Sequence, residues 1–372
     1  MNDRSIHAIT TPSSGPRLDE TGGGLVGLPV MQRLVLGMLV ACGSGIADPA
    51  DRAPRAVASP QPAVAATAAR PAVAEVVTPV TPSCVEDGKP YDEAVMRERI
   101  TLLASKGLDG RAPGSDGDVT TRKFITERFD CLGLTKAGAS FELPFTTGGQ
   151  HTANVVGYVK GSDATLGSEI VLVAAHHDHL GGGYLGANDN ASGLVALLSI
   201  AQAVQQHAPR PRRTIVFAAF GAEEGGMLGS YEYAKTPPRA LPLDKIMQVV
   251  NLDMVGSYSS RKLVAAMGAF KGFAARKLLD QLDRGFPKLN VSSGGRARGS
   301  DFEPFCKQRI PYVFFWTPDA RCYHEKCDTA DQVDYPHMVE ISRLAGALTR
   351  ELADTDVDLA AARKKLGCGV AY

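Results

Sequence analysis

Four short apolar runs along the chain predict the strands of a buried sheet. They are EIVLVAA (169–175), TIVFAAF (214–220), MQVVNLDM (247–254) and PYVFFW (311–316). These runs are apolar at nearly every position, which is typical of strands covered on both faces. Helical patterns alternate with them. The pattern therefore favours an α/β fold, with a central mixed, mostly parallel sheet covered by helices on both faces.

Helical spacing of apolar residues marks the segments around these strands. Residues 91–106 and 119–134 predict two helices, the second with Phe124, Phe129 and Leu132 on its buried side, and residues 110–118 predict a loop between them. A further helix is expected from Ser192 to about His207, and the last is expected to begin near Pro336. The segments ASFELPF and TANVVGYVKG alternate apolar and polar residues and predict a pair of strands. Residues 83–372 thus form a single predicted domain.

The N-terminal part of the chain has the pattern of an exported lipoprotein. Residues 31–42 contain one basic residue, Arg33, and a short apolar segment that ends at Cys42. We expect translation to begin at Met31, which makes residues 1–30 a mis-assigned upstream segment without ordered structure, and we expect Cys42 to be lipidated. Residues 43–82 are rich in Ala and Pro and predict an extended tether. The predicted location is a bacterial periplasm or cell surface, with a lipid anchor in the membrane.

Charge and cysteine content narrow the function classes. Forty basic and forty acidic residues cancel, and no basic stripe is present, so nucleic acid is not an expected partner. Six cysteines remain once Cys42 is set aside, and an even number in an exported protein is compatible with disulfides. A local bridge between Cys322 and Cys327 is the plausible one.

Acidic and imidazole side chains follow each of the four apolar runs. His176 and Asp178 follow the first, Glu223 and Glu224 the second and Asp253 the third, and His324 lies beyond the fourth. Because the carboxyl ends of parallel strands meet at one edge of a sheet, these groups are expected to converge. Carboxylates gathered in a crevice repel one another unless a cation neutralises them. The sequence therefore predicts a metal site, with zinc the metal that best suits mixed imidazole and carboxylate ligands.

Five motifs in order, AHHDHLG, GANDNASG, GAEEGGMLGS, NLDMVG and YHEKCDT, carry a family resemblance. From about Tyr91 onward the chain resembles the di-zinc exopeptidases, which include bacterial leucyl aminopeptidases, glutamate carboxypeptidases and glutaminyl cyclases. The chain departs from the family pattern at one point: Ser300 and Asp301 are followed by Phe302, where the family usually has His.

The resemblance implies two Zn²⁺ per chain and a role for each matching residue. His176, Asp189 and Asp253 would hold one ion and Asp189, Glu224 and His324 the other, with Asp189 shared. The residues alone do not choose among His176, His177 and His179; only the family pattern selects His176. Glu223 would be the general base, Asp178 would orient His176, and Tyr323 is either an oxyanion donor or a packed aromatic residue.

The predicted function is zinc-dependent removal of N-terminal residues from peptides, with a metal-bridging hydroxide as nucleophile and Glu223 as its base. The alternatives are a carboxypeptidase, a glutaminyl cyclase and a catalytically silent binding module. The glycine-rich segment GGRARGS is expected to be a solvated loop; the alternative is that Arg296 and Arg298 line the pocket and bind a carboxylate. Side-chain specificity and oligomeric state are not encoded in any motif that we recognise.

Overall fold

The apolar runs lie in a mixed sheet of nine strands in the computed structural model, which describes residues 88–365. The strands are β1 (Thr135–Lys136), β2 (Glu142–Thr147), β3 (Gln150–Val159), β4 (Ile170–His176), β5 (Thr214–Phe220), β6 (Ile246–Leu252), β7 (Val264–Met267), β8 (Val291–Ser293) and β9 (Tyr312–Trp316). Their order is β1-β3-β5-β4-β6-β9-β7-β8, and β2 also pairs with β3. All four strands predicted from apolar runs are therefore present, within one or two residues of the predicted bounds.

The centre of the sheet is parallel and its flanks are antiparallel. Strand β4 pairs in parallel with β5 and with β6, and β6 pairs in parallel with β9. Outside this group, β3 runs antiparallel to β5 and β7 runs antiparallel to β9. The four central strands consequently end at the same edge of the sheet, which is the edge where ligands bind in open α/β folds.

Both faces of the sheet are covered, and β4 shows how. Val171, Val173 and Ala175 point into one apolar cluster, whereas Ile170, Leu172 and Ala174 point into a second cluster on the opposite face. Successive side chains on a strand point to opposite faces, so a strand buried on both faces must be apolar at every position. This is the physical reason for the unbroken apolar run that predicts it.

Helices supply the covering layers. They are α1 (Glu93–Leu103), α2 (Asp116–Cys131), α3 (Gly193–Gln206), α4 (Leu228–Lys235), α5 (Tyr258–Arg261), α6 (Ala274–Leu282), α7 (Glu303–Lys307), α8 (Tyr335–Asp354) and α9 (Ala360–Lys365). Helices α1, α2, α3, α6 and α8 contribute to the larger apolar cluster, and α7 contributes to the smaller one. The predicted helix at 192–207 is thus confirmed as α3, and the helix predicted to begin near Pro336 as α8, but α8 is not the last helix because α9 follows it.

The second predicted helix begins earlier than the sequence pattern indicated. Helix α2 starts at Asp116, inside the predicted loop, because the side chain of Ser115 accepts a hydrogen bond from the main-chain N–H of Asp118 and caps the helix. Phe129 is buried as predicted, but Phe124 is only partly buried. Fully buried Ile125 takes the central place on that face.

Several predictions concern residues beyond the described range. The upstream segment 1–30, the signal at 31–42 with Cys42, and the tether at 43–82 lie outside residues 88–365. Within the described residues, none of the helices combines the length and the apolar character required to cross a bilayer.

Candidate metal centre

The carboxyl ends of the four central strands bring the predicted polar residues together. His176 is the last residue of β4, Asp253 directly follows β6, and Glu223 and Glu224 follow β5 by three and four residues. His324 lies on the longer segment between β9 and α8. His176, Asp189 and Asp253 are at most 7 % exposed, so the cluster is buried at its base.

Asp189 lies between two groups of possible ligands. Its Oδ1 is 3.4 Å from Nε2 of His176, and its Oδ2 is 3.2 Å from Nε2 of His324. On the first side, Oδ1 of Asp253 is 3.4 Å from the same His176 nitrogen. On the second side, Oε2 of Glu224 is 2.9 Å from the His324 nitrogen. One carboxylate therefore has an oxygen facing each group, as a shared ligand requires.

The spacing of the donor atoms fits zinc. Ligand atoms about 2.0–2.1 Å from a tetrahedral zinc ion are about 3.3 Å from one another. The donor atoms of His176, Asp189 and Asp253 meet this condition closely, and all of them lie within 4.8 Å of one another. Mixed imidazole and carboxylate donors are ordinary zinc ligands, so the residues present fit the metal that the sequence predicts.

His179, one of the three histidines among which the residues alone did not choose, is a second imidazole beside Glu224. Its Nδ1 is 2.7 Å from Oε1 of Glu224, and its Nε2 is buried without a hydrogen-bond partner among the described residues. His179, Asp189 and Glu224 also form a compact donor group. The second group therefore offers two imidazoles, His179 and His324, on opposite oxygens of Glu224.

Asp178 binds the segment that carries the predicted base. Its Oδ1 accepts a hydrogen bond of 3.0 Å from the main-chain N–H of Glu223, and its Oδ2 accepts one of 3.2 Å from the N–H of Glu224. The same carboxylate oxygen Oδ1 is 3.7 Å from Nδ1 of His176. Asp178 is fully buried. It thus links the end of β4 to the two glutamates, a role wider than the predicted orientation of one imidazole.

The charges in this cluster shift its pKa values strongly. Burial raises the pKa of Glu223 to about 10, opposed by His176 and assisted by the carboxylates of Asp301, Asp253 and Asp178. Burial lowers the pKa of His176, but Asp253, Glu223 and the other carboxylates outweigh it and raise that pKa well above the usual value. The raised pKa of Glu223 reflects its burial beside other carboxylates, and a bound cation would relieve that repulsion.

The loop that carries Asp189 is held by side-chain amides and by a tight approach of the backbone. Asn190 accepts hydrogen bonds from the N–H groups of Gly193 and Met254 and donates one to the carbonyl of Leu252. It therefore joins this loop to the end of β6, beside Asp253. Gly186 has φ of 64°, and a Cβ there would lie 2.3 Å from the Asp189 carbonyl, so only glycine fits.

Two residues that the sequence analysis did not select support the same loop. The carboxylate of Asp328 accepts hydrogen bonds from the main-chain N–H groups of Asn188 at 2.7 Å and Asp189 at 2.9 Å. Asp328 is the aspartate of the YHEKCDT motif, so a signal for it was present in the sequence.

Arg111 is the second of these residues, and it is fully buried. Its guanidinium group donates to the main-chain carbonyls of His177 at 2.8 Å, Leu103 at 2.6 Å, Leu185 at 2.8 Å and Gly186 at 2.9 Å. Burial lowers its pKa to about 10, opposed by nearby carboxylates that include Asp328 and Asp178. The guanidinium group of Arg111 thus connects the segment after His176 to the segment before Asp189 by hydrogen bonds.

The segment that carries His324 is closed by a disulfide bond. Cys322 and Cys327 are bonded, which confirms the predicted local bridge. Cys131 and Cys306 each take part in a disulfide bond. Cys84 and Cys368 lie outside the described residues. Tyr323 stacks on His324 with ring centroids 3.9 Å apart and is 52 % exposed, so it is not packed in the core. Burial and the neighbouring carboxylates raise the pKa of Tyr323 to about 12, and the phenol remains a hydrogen-bond donor.

A cavity of about 1100 Å³ opens over the cluster. Asp189, Glu223 and Asp253 line it at one end, and Tyr323 and His324 also face it. Phe302, at the place where the family usually has His, is buried and stacks on Tyr312 at a centroid distance of 4.1 Å. This position is therefore part of an apolar cavity wall and offers no metal donor.

The GGRARGS segment is exposed at both arginines, as expected of a solvated loop, and it also lines the cavity, as the alternative expectation has it. Arg296, Ala297, Arg298 and Gly299 line the same cavity as Glu223. The reason is the strand order: β7 and β8 extend the sheet beyond β9, and the segment after β8 then passes along the cavity. The sequence did not show this order, since β8 is only three residues long.

The sheet and the donor groups at its edge agree with the family that the chain matches in sequence. The model of Peptidase family M28 matches residues 154–349, and the chain belongs to that family. It is 26% identical over 256 residues to leupeptin-inactivating enzyme 1 from Streptomyces exfoliatus, a match that covers 63% of this chain and 56% of that enzyme. The chain thus spans about half the length of the curated relatives it matches.

Solved structures show the same fold. The zinc aminopeptidase BSAP from Bacillus subtilis superposes with a TM-score of 0.61 and 16% identity, over 73% of this chain and 98% of that one. Glutaminyl cyclase from Porphyromonas gingivalis superposes with a TM-score of 0.59 and 17% identity, over 71% of this chain and 99% of that one. At these identities the likeness establishes the architecture of the sheet and its covering helices.

Proposed function

We propose that this protein is a zinc-dependent aminopeptidase that holds two ions per chain. The observation that carries the proposal is the position of Asp189, whose two oxygens lie 3.4 Å and 3.2 Å from the imidazoles of two separate donor groups. A carboxylate shared in this way is characteristic of a two-metal site. His176 and Asp253 complete one group, and Glu224 and His324 complete the other.

The bound ions would supply Lewis acidity, which lowers the pKa of water and polarises the scissile carbonyl. Glu223 is the group that moves the proton. Its Oε2 is 3.9 Å from Nε2 of His176, and its side chain lines the cavity without belonging to either proposed donor group around Asp189. The pKa of Glu223, raised to about 10, would be lowered by bound cations, and the carboxylate would then take the proton of the attacking water and pass it to the leaving amine.

Two neighbours prepare Glu223 and the substrate for this step. Asp178 fixes the main chain of Glu223 and Glu224 through its two oxygens, so the base and a ligand keep a constant separation. Tyr323 lies at the cavity mouth beside His324, with a phenol that stays protonated at neutral pH. It would donate to the oxygen that becomes negatively charged in the tetrahedral intermediate.

An amino-terminal substrate fits the charge of the cavity. Glu223 lines the cavity and is not one of the proposed zinc ligands, so its carboxylate would complement the protonated α-amino group of a peptide. Support also comes from relatives, because two of the proteins that this chain matches in sequence or in fold are named as aminopeptidases.

Three substrate types test the proposal with and without a chelator. The purified protein should hydrolyse leucyl anilide, should leave N-blocked peptides intact and should release no pyroglutamyl product from N-terminal glutaminyl peptides. Chelation should abolish turnover, and added zinc should restore it. Cleavage of N-blocked peptides alone would make the enzyme a carboxypeptidase or endopeptidase. Cyclisation without hydrolysis would make it a glutaminyl cyclase, and no chelator-sensitive turnover would leave a binding module.

We further propose that the protein is exported and held at the membrane by a lipid on Cys42. The apolar segment before Cys42 and the Ala- and Pro-rich residues 43–82 support this location. The disulfide between Cys322 and Cys327 is in keeping with an oxidising compartment. Intact-mass analysis of the membrane fraction should find a mature chain that begins at acylated Cys42; any other mature N-terminus would contradict the proposal.

A further inference from the structure

The two arginines of the GGRARGS segment lie in the cavity that contains the proposed catalytic base. We call residues 294–299 the arginine loop. Arg296 and Arg298 line the cavity together with Glu223 and Asp253. A substrate bound at the proposed metal centre would therefore lie in the same cavity as two guanidinium groups.

The arginine loop is anchored along its length. The N–H of Gly294 donates to the carbonyl of Ala266 at 3.1 Å, and the carbonyl of Gly295 accepts from the N–H of Gly268 at 3.0 Å, which fixes the loop to β7 and the residue after it. Farther on, the N–H of Gly299 donates to the carboxylate of Glu303 at 2.8 Å. A loop held at both ends presents its side chains in a defined place.

The middle of the loop is fixed to the cavity wall. The N–H of Ala297, between the two arginines, donates to the phenol oxygen of Tyr312 at 3.3 Å. Tyr312 is itself buried and stacked on Phe302. The arginine side chains thus leave the chain on either side of a residue that is bound to the apolar wall.

Charge is distributed unevenly around the cavity. The carboxylates Asp189, Glu223 and Asp253 lie at the metal centre, whereas the rest of the lining contains more basic than acidic side chains. The basic ones are Arg261, Arg296, Arg298 and Lys307, and the acidic ones are Glu303 and Asp319. Aromatic residues that include Phe270, Phe314 and Trp316 also line the cavity. The cavity therefore offers carboxylates, aromatic side chains and guanidinium groups to the same occupant.

We infer that the arginine loop binds a carboxylate of the substrate, and that Arg296 and Arg298 make the enzyme selective for peptides that offer one within the cavity. This inference rests on the proposed aminopeptidase function. Guanidinium groups bind carboxylates through paired, charge-assisted hydrogen bonds, and the partly apolar lining strengthens such contacts. The carboxylate could be the free C-terminus of a short peptide or an acidic side chain, and both have the same chemistry at the loop.

Two pairs of substrates separate these sources. The tripeptide Leu-Gly-Gly is compared with its C-terminal amide, and glutamyl anilide is compared with leucyl anilide. For each pair, the ratio compared is kcat/KM of the carboxylate-bearing substrate divided by kcat/KM of its partner. In at least one pair we expect this ratio to be about tenfold higher in the wild type than in the variant described below, mainly through a lower KM. A gain in the first pair identifies the C-terminus, and a gain in the second identifies a side chain. The gain should shrink as ionic strength rises.

The double variant Arg296→Gln/Arg298→Gln should lose this selectivity. The matched control is Arg239→Gln/Arg284→Gln, which removes the same charge from exposed positions outside the cavity. The control should keep the wild-type ratio within each pair. Equal ratios in the wild type and in the arginine-loop variant, for both pairs, would overturn the inference even though leucyl anilide is hydrolysed.

Binding measurements keep the inference testable if hydrolysis is absent, since that result would refute the aminopeptidase function alone. Calorimetric titration of the Glu223→Gln variant with Leu-Gly-Gly and its amide measures the preference without turnover. Tighter binding of the free acid, lost when the arginine-loop substitutions are added, would support the inference. Equal affinity for the acid and the amide would exclude the C-terminal carboxylate, and titration with glutamic acid amide against leucine amide would then decide on the side chain.

Discussion

The guanidinium Nε of Arg111 donates a hydrogen bond of 2.8 Å to the main-chain carbonyl of His177, immediately after the proposed ligand His176. Three further carbonyls accept from the same group, two of them in the segment that leads to Asp189. Arg111 therefore fixes the separation between the segments that carry His176 and Asp189. It also places a positive charge near the carboxylates of the cluster.

Replacement of Arg111 by Met should destabilise the protein by about 3 to 5 kcal/mol, because four buried carbonyls lose their donor. It should also speed the loss of zinc to a chelator, since the ligand loop is no longer fixed. Thermal unfolding and the rate of zinc transfer to a chromogenic chelator measure the two effects. Arg111→Lys should recover part of each, whereas Arg239→Met, an exposed control, should change neither. Unaltered zinc release in Arg111→Met would show that the guanidinium group does not position the ligands.

His324 and His179 compete for the role of imidazole ligand beside Glu224. We expect His324→Ala to retain one zinc per chain after dialysis and His179→Ala to retain two, because His324 alone contacts both Asp189 and Glu224. Elemental analysis counts the ions, and exposed His207 gives the control variant His207→Ala. One ion in His179→Ala and two in His324→Ala would mean that His179, and not His324, is the zinc ligand beside Glu224.

The disulfide between Cys322 and Cys327 should strengthen zinc binding at one group only. The double variant Cys322→Ser/Cys327→Ser frees a short loop whose closure is worth about 2 kcal/mol, so the ion held with His324 should bind roughly thirtyfold more weakly. The ion held by His176 and Asp253 provides an internal control, because neither residue lies in that loop. Competition titration with a chelator of known affinity resolves the two ions. Equal weakening of both would indicate a general loss of structure.

Buried Asp301 should make the stability of the metal-free protein depend on pH. Burial raises its pKa from 3.8 to about 7, so the folded state favours the protonated carboxyl. A raised pKa gives stability that is complete below about pH 4 and is lost as the pH rises through 7. The Asp301→Asn variant should therefore gain stability relative to the wild type across this range, by up to roughly 4 kcal/mol.

Denaturant unfolding in the presence of chelator, at several pH values, gives that difference. Exposed Asp130 supplies the control, Asp130→Asn, whose difference from the wild type should stay constant with pH. A constant difference for Asp301→Asn as well would mean that Asp301 is ionised in the folded protein throughout.

The sequence predicted the parts of the molecule in which burial leaves a local pattern. Unbroken apolar runs identified β4, β5, β6 and β9 because both faces of these strands are covered. The same runs located His176, Glu223, Glu224 and Asp253, since each follows a strand closely. Family motifs then added Asp189 and His324, and the structure brings all six together.

Other features depend on contacts between distant segments and left no such pattern. Arg111 lies in a glycine-rich segment that resembles any surface loop, and its burial arises only when α1 and the segments around His177 and Gly186 meet around it. The arginine loop has exposed arginines, as its composition predicts, but its composition does not show that it also lines the cavity. Its place in the cavity follows from strand order at the far edge of the sheet, which no local periodicity encodes.

The central claim is that a metal centre and a separate base, Glu223, together perform hydrolysis. The most direct measurement is zinc content and leucyl anilide turnover on the same preparation of Glu223→Gln, with Glu98→Gln as an exposed control. We predict two zinc ions per chain in both variants, turnover reduced by at least about a hundredfold in Glu223→Gln, and normal turnover in the control. Near-normal turnover in Glu223→Gln, or turnover by a protein that holds no metal, would contradict the account.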